Sequence, residues 1–218
     1  MQNKKPLISI IILTHNGLEL TKRCISSILQ HTKENYEFVF IDNHSQDETV
    51  EFLQTIPNKK LMVNKENMGF AQGCNDGFTI AEGDYFVLIN NDTIVTKNWL
   101  SNLIWWLEKD GEIGIVGPRS NFVMPKQMIH NITYKTLDDL NNFAEERERI
   151  YFRQGFQVDV LSGLCMAFRR ELIEQIGGFD HRYFPGYYED NDFSIRTQIY
   201  GKKLWVTNDV FIHHYGGE

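Results

Sequence analysis

Cysteine is scarce in this chain, and the little it has cannot build a framework. The 218 residues hold three cysteines, Cys24, Cys74 and Cys165, odd in number, widely spaced and set in apolar or helical stretches. That excludes a disulfide scaffold and a zinc ribbon, and the three read as reduced packing residues of a cytoplasmic protein. Long hydrophobic runs are missing too. None approaches the roughly 18 to 20 residues of a membrane span, and Met1–Lys5 is too polar for a signal peptide. No transmembrane segment is expected, and peripheral association with a membrane stays open. Positive charge is in deficit: a formal net charge of −7 argues against a nucleic-acid partner. It does not argue against an anionic ligand held by a few placed donors and a metal. Glycine-rich phosphate signatures are also absent. Thr14-His15-Asn16-Gly17 follows the first apolar run where G-x-G-x-x-G would stand, and G-x-x-x-x-G-K-[ST] occurs nowhere. Both absences disfavour the usual dinucleotide, S-adenosylmethionine and P-loop sites. With no internal repeat, low-complexity tract or linker, residues 1–218 read as one domain.

What is present is a regular alternation. Leu7–Leu13 is a continuous apolar, β-branched run, suited to a strand covered on both faces of a parallel sheet. Leu18–Gln30 follows with helical spacing, Leu20, Cys24 and Ile28 sharing one face. Tyr36–Ile41 predicts a second strand, Glu48–Thr55 a helix that Asp47 can cap, and Lys60–Val63 a third strand. Phe70–Ala81 predicts a helix whose Gly73 and Gly77 let its backbone approach something closely. Tyr85–Ile89 and Ile113–Val116 predict strands on either side of a helix at Trp99–Glu108. Strands and helices in this order imply βαβ units and a mainly parallel sheet.

The second half is less regular. Asn121–Thr136 resembles a long loop, Leu137–Arg149 a charged helix, and Val158–Phe168 a strand interrupted at Ser162-Gly163. Short helices are predicted at Arg170–Ile176 and Glu189–Tyr200, and late strands at Leu204–Thr207 and Val210–His213.

Ligands of such sheets sit beyond the carboxyl ends of the strands. Thr14-His15-Asn16, Asp42-Asn43 and Asn90-Asn91-Asp92 all fall there. Oxygen ligands at the end of the Tyr85–Ile89 strand suit a hard divalent cation and the phosphates it carries. The plainer reading of the same stretch is an Asn/Asp turn. Asp42 has two readings of equal weight, an acceptor for a base N–H or ribose hydroxyl and a turn former.

In order along the chain, Ile8–Asn16, Ile41–Thr49, Asn67–Asn75, Leu88–Thr93, Gly177–Asp180 and Glu189–Arg196 resemble the motifs of the family 2 glycosyltransferases. Each is modest alone, and six in order cover nearly the whole chain. The resemblance implies an α/β GT-A fold, Rossmann-like, with a mainly parallel central sheet and a smaller acceptor-side sheet. It divides the domain into a nucleotide-sugar half, 1–117, and an acceptor half, 118–218. It implies a UDP, dTDP or GDP sugar donor, a carbohydrate or glycoconjugate acceptor, Mn2+ or Mg2+, and inversion at the anomeric carbon. Polysaccharide or glycoconjugate assembly in a bacterium is the setting it suggests.

By the same resemblance Thr14, His15, Asn16, Asp42, Asn67 and Asn75 line the nucleotide pocket. Asn90-Asn91-Asp92 stands where the family has Asp-x-Asp, so Asp92 binds the metal and Asn91 faces the donor sugar or ribose. Glu189-Asp190 matches the catalytic acidic pair. An inverting transfer needs a carboxylate opposite the leaving diphosphate to take the acceptor's proton, and negative charge also suits an oxocarbenium-like transition state. Asp190 is assigned that base, with Glu189 second. The competing reading is that Glu189, Asp190 and Asp192 merely oppose the dipole of a helix N-terminus. Of His213 and His214, which point to opposite faces of a strand, His213 better matches a histidine that completes the metal shell. Ser162-Gly163 leaves room near the acceptor. Tyr183, Phe184, Tyr187 and Tyr188 are read either as an aromatic lip for a sugar or as packing. Arg196 is read as a phosphate contact, a lock on the acidic pair or a surface residue. Asn121–Lys135 reads as a lid.

Two rivals stand beside this reading. A sugar-nucleotide pyrophosphorylase needs a Gly-rich, Arg/Lys-bearing loop after the first strand, which Thr14–Gly17 lacks. A degenerate sugar-nucleotide-binding module is kept by Asn90 and by the end at Gly216-Gly217-Glu218, where family members continue, as if the domain were cut from a longer chain.

Overall fold

The computed structural model describes residues 5–216. The first half alternates as the periodicity predicts: β1 (Ile8–Thr14), α1 (Leu18–His31), β2 (Tyr36–Asp42), α2 (Thr49–Thr55), β3 (Lys59–Val63), α3 (Gly69–Ile80) and β4 (Tyr85–Ile89). A two-residue strand β5 (Thr93–Ile94), α4 (Trp99–Lys109) and β6 (Ile113–Ser120) follow. Then come α5 (Leu137–Tyr151), β7 (Gly155–Val158), β8 (Cys165–Arg169), α6 (Arg170–Ile176), α7 (Glu189–Ile199) and β9 (Lys203–His214). The strands form one mixed sheet in the order β3-β2-β1-β4-β8-β6-β9-β5, with β7 also on β9. The β3-β2-β1-β4 half is parallel, β8 runs antiparallel to β4 and β6, and β6 and β9 are parallel.

The largely apolar sequence of β1 follows from helices on both faces of the sheet. Ile8, Ile10 and Ile12 pack with Cys24, Ile28, Trp99 and Leu103 of α1 and α4. Ile11 packs on the other side with Cys74 and Phe78 of α3 and with Phe168 and Phe193. Alternate residues of one strand thus serve two cores. Gly73 and Gly77 do let α3 lie close: a Cβ at Gly73 would fall 2.4 Å from Leu13 Cδ1, and one at Gly77 2.6 Å from Ile11 Cγ2. The close partner is the sheet.

Several boundaries differ from the expected ones. The interrupted Val158–Phe168 strand is two strands, β7 ending at Val158 and β8 beginning at Cys165, each antiparallel to a different neighbour. The two late strands are one, β9, continuous through Asn208-Asp209. Those polar residues stay in the strand because they have partners: Arg119 Nη1 donates to Asn208 Oδ1 at 2.9 Å, and Arg153 N to Asp209 Oδ2 at 2.9 Å. No regular element interrupts 121–136, as the missing period implied. Thr136 caps α5, accepting from Asp139 N at 3.1 Å.

Candidate active site

Two turns at the ends of β1 and β2 are laced together. Asp42 is fully buried, accepting from Thr14 Oγ1 at 2.9 Å and Ser45 N at 2.9 Å. Ser45 Oγ also donates to Asp42. His15 Nδ1 donates to the Asn43 carbonyl at 2.7 Å, Ser45 Oγ accepts from Asn16 N at 2.7 Å, and Asn16 Oδ1 accepts from Gln46 N at 2.7 Å. Asn16 and His44 adopt left-handed φ of 60° and 67°. The lacing fixes the rim of the sheet and leaves the His15 ring exposed. Asp42 and Thr14 therefore hold the turn. They are 0% and 1% exposed. Asn43, which the sequence did not single out, ties this rim to α3 by donating to the Gly69 carbonyl at 2.9 Å.

The two asparagines of the α3 segment part company. Asn67 is exposed beyond the rim, its Oδ1 accepting from Gly69 N at 2.9 Å. Asn75 lies a turn and a half into the helix, clamped to Phe179: Nδ2 donates to the Phe179 carbonyl and Oδ1 accepts from Phe179 N, both at 2.8 Å. A Cβ at Gly178 would lie 2.1 Å from Asn75 Oδ1, so glycine is required there. Asn75 is a strut fastening the 177–180 turn to α3. Its amide is engaged by that turn.

Beyond β4, Asn91 Nδ2 donates to Thr21 Oγ1 at 2.9 Å, leaning on α1. Asp92 Oδ2 lies 3.2 Å from Nε2 of His214, while Asp92 Oδ1 is buried with no partner. The histidine facing Asp92 is thus His214 and not His213. Antiparallel pairing of β5 with β9 sets Thr93 opposite His214 and Ile94 opposite His213. His213 turns the other way, bonded through Nδ1 to Tyr134 Oη at 2.7 Å and packed on Tyr215.

His214 is held tightly. Asn121 pairs with its backbone as a strand would, donating to the His214 carbonyl at 2.9 Å and accepting from His214 N at 2.8 Å. Its Nδ1 donates to the Phe122 carbonyl at 2.7 Å. With the Nδ1 proton committed, Nε2 presents a lone pair to a carboxylate unless a proton or a cation lies between them. Burial alone would lower the His214 pKa, but the Asp92 carboxylate outweighs it and holds the ring above its ordinary value. Burial and the neighbouring His214 lower His213. An orphaned carboxylate oxygen beside an imidazole lone pair is a donor set suited to a divalent cation. Among the described residues no group of three His, Cys, Asp or Glu side chains is arranged for a metal, so a cation here draws further oxygens from elsewhere. Asn121 and the Phe122 carbonyl carried no signal in the sequence, because they act from a segment without period.

The acidic pair opens α7 beside a cavity of about 420 Å³ lined by Phe70, Asn90, Ser162, Gly163, Tyr187 and both acids, among others. Asp190 is oriented by two backbone donors, Gly163 N to Oδ2 at 3.0 Å and Asn191 N to Oδ1 at 2.8 Å. Glu189 is 6% exposed with Oε2 unpartnered, and burial, with a smaller contribution from the Asp190 charge, raises its pKa. Asp192 does not join them. It pairs with Arg196 at 2.7 Å, and Arg196 donates to the Ile176 and Gly178 carbonyls, each at 2.7 Å. Arg196 is a latch on the 176–178 turn. Asp192 is accounted for by its pairing with Arg196, whereas Glu189 keeps a buried oxygen without a partner.

Residues 9–177 match the model of the glycosyl transferase family 2. An uncharacterized glycosyltransferase of Haemophilus influenzae is 32% identical over 63% of this chain and 44% of its own length. Glycosyltransferase GlyG of Streptococcus pneumoniae is 29% identical over 53% of this chain and 40% of its own. Glycosyltransferase AglE of Haloferax volcanii is 24% identical over 98% and 68%. The chain thus spans less than half the length of the first two relatives. Among solved structures, GalNAc-T7 with UDP, GalNAc and Mn2+ superposes with a TM-score of 0.76 at 18% identity, covering 98% of this chain and 44% of that one. A mannosyltransferase of Pyrobaculum calidifontis with GDP-Man and Mn2+ gives 0.72 at 21% identity, covering 99% and 59%. The fold is GT-A. No helix among the described residues is long and apolar enough to cross a membrane.

Proposed function

This chain belongs to the glycosyl transferase family 2, and from that premise we propose that it transfers a sugar, with inversion, from a nucleotide-diphosphate donor to an acceptor hydroxyl. Asp92 and His214 would hold a divalent cation, Mn2+ or Mg2+. When bound, the cation supplies neutralisation of the leaving diphosphate. The rim built from residues 14–16 and 42–45 supports the nucleotide, with His15, Asn16, Asn67 and Asn91 as its candidate contacts. Asp190 takes the proton of the acceptor hydroxyl while that oxygen bonds to the anomeric carbon, and the bond from that carbon to the diphosphate oxygen breaks on the opposite face. Gly163 N–H keeps the carboxylate aimed into the cavity. Buried Glu189 adds negative potential beside developing oxocarbenium charge.

The observation that carries this reading is the pair of buried carboxylate oxygens without partners, Asp92 Oδ1 and Glu189 Oε2, set around one end of the sheet. Native proteins leave such atoms unsatisfied chiefly where a ligand completes them. The test is calorimetry with UDP, GDP and dTDP sugars, each with Mn2+ and with chelator, on the native chain and on Asp190→Asn. One nucleotide class should bind only with metal, and Asp190→Asn should keep that binding while losing transfer. Native turnover by Asp190→Asn would remove the base assignment.

A further inference from the structure

The cavity beside the acidic pair has a wall that the proposed chemistry does not use. Tyr187 borders it and is 81% exposed, next to Tyr188 at 67% and Phe184 at 62%. Aromatic rings this exposed are not core packing, and contiguous apolar surface beside a site marks a binding face. The backbone adds an independent sign. Tyr187 and Tyr188 both sit in the left-handed region, at φ 76° and 73°, where L side chains other than Asn and Asp are disfavoured. Glycine would relax each position, and Gly186 precedes them. Strain retained at two tyrosines on the rim of a cavity points to a use for the side chains. The segment is anchored from behind: Phe70 N donates to the Pro185 carbonyl at 3.0 Å, and a Cβ at Gly69 would lie 2.8 Å from the Phe184 ring. Opposite, Tyr188 O accepts from Asp192 N at 2.9 Å, so the turn that displays the tyrosines also starts α7 and sets Asp190.

The lining decides what such a wall can hold. It contains two carboxylates, Glu189 and Asp190, and no lysine, arginine or histidine. An anionic ring or a phosphate-bearing group would be repelled from this chamber. Gly163 gives the cavity a floor without a side chain, and a Cβ there would already touch the Phe70 ring at 3.4 Å. A neutral, disc-shaped polyol fits all three conditions: its C–H face packs on an electron-rich ring and its hydroxyls meet the carboxylates.

We propose that Tyr187 is a stacking platform that receives the acceptor as a neutral pyranose ring, presenting one of its hydroxyls to Asp190. This rests on the transferase reading of the cavity. The probes are lactose, cellobiose and methyl β-D-glucuronide, followed by saturation-transfer difference NMR on the native chain, Tyr187→Gly and Tyr187→Trp. The neutral sugars should receive saturation on one C–H face and the glucuronide should not. Tyr187→Gly should weaken their binding about tenfold, the equivalent of about 1.4 kcal/mol, with an unchanged or higher Tm because glycine relieves the left-handed backbone. Tyr187→Trp should restore it. Equal affinity in the native chain and Tyr187→Gly, or no binding of either neutral sugar, overturns the proposal. So does tyrosine-dependent binding to phosphatidylcholine vesicles in place of the sugars, which would assign the rim to a membrane surface. Mn2+-dependent binding of UDP, GDP or dTDP, measured on the same samples, separates the two ideas. Its absence from the native chain sinks the donor reading and leaves the sugar result standing.

Discussion

Replacing Asn75 by alanine separates a strut from a ligand contact. Its amide makes both hydrogen bonds of Phe179's backbone, at 2.8 Å each, and Phe179 itself is 3% exposed in the core beneath. Each bond contributes about 1 kcal/mol net, and a buried backbone group left without a partner costs about 1–3 kcal/mol. The amide is only part-buried and water reaches some of the vacated space, so the lower end of each range applies. The sum is about 2–3 kcal/mol, against a gain of a few tenths from alanine's helix propensity. For a domain of this size each kcal/mol moves Tm by about 2–4 °C, so Asn75→Ala should melt roughly 4–12 °C lower. Scanning calorimetry at neutral pH reads this directly. Nucleotide affinity, measured by titration well below the new Tm, should change less than about twofold. The reasoning is refuted by the opposite pattern, an unchanged Tm with lost nucleotide binding. That result would restore Asn75 to the pocket.

Two further outcomes follow from the site. Mn2+ titration followed by electron paramagnetic resonance should show His214→Ala binding at least about tenfold more weakly. His213→Ala should bind as the native chain does and lose only its packing on Tyr134; equal effects in the two variants would return the metal assignment to doubt between them. Glu189 has a pKa raised by burial, so its protonated form favours the fold. That contribution is fully present below the unfolded-state value and is lost as pH rises through the folded one. Glu189→Gln should therefore raise Tm at pH 7 to 8, with the gain vanishing toward pH 4. A gain that grows on acidification would contradict the burial argument.

The βαβ half was legible because its signals are local. Strands covered on both faces are apolar along most of their length, as β4 is throughout and β1 is but for Ser9 and Thr14. The second half depends on partners that sequence spacing does not encode. Asn208 and Asp209 look like a break between two strands until Arg119 and Arg153 satisfy them inside β9. β5 is two residues long, too short for any period, yet it decides which histidine meets Asp92. Its pairing with β9 sets which of two adjacent histidines faces Asp92, and a shift of one residue would exchange them. Motif order pointed to the acidic pair and to Asp92 without resolving that register.

The same distinction applies to the polar residues of the rim. Thr14, Asp42 and Asn75 sit in motifs that surround a ligand, and polar side chains there do one of two jobs, touching the ligand or fixing the backbone that touches it. Sequence alone gives both jobs the same letters. Burial and the count of satisfied lone pairs tell them apart: Asp42 is sealed with its acceptors engaged, whereas Asp92 and Glu189 each keep a buried oxygen idle. A fold can tolerate idle acceptors at about 1–3 kcal/mol apiece only if something else draws on them. Truncating Asn75, whose amide is satisfied, should therefore cost stability, and truncating Asp92, with its idle oxygen, should cost metal binding.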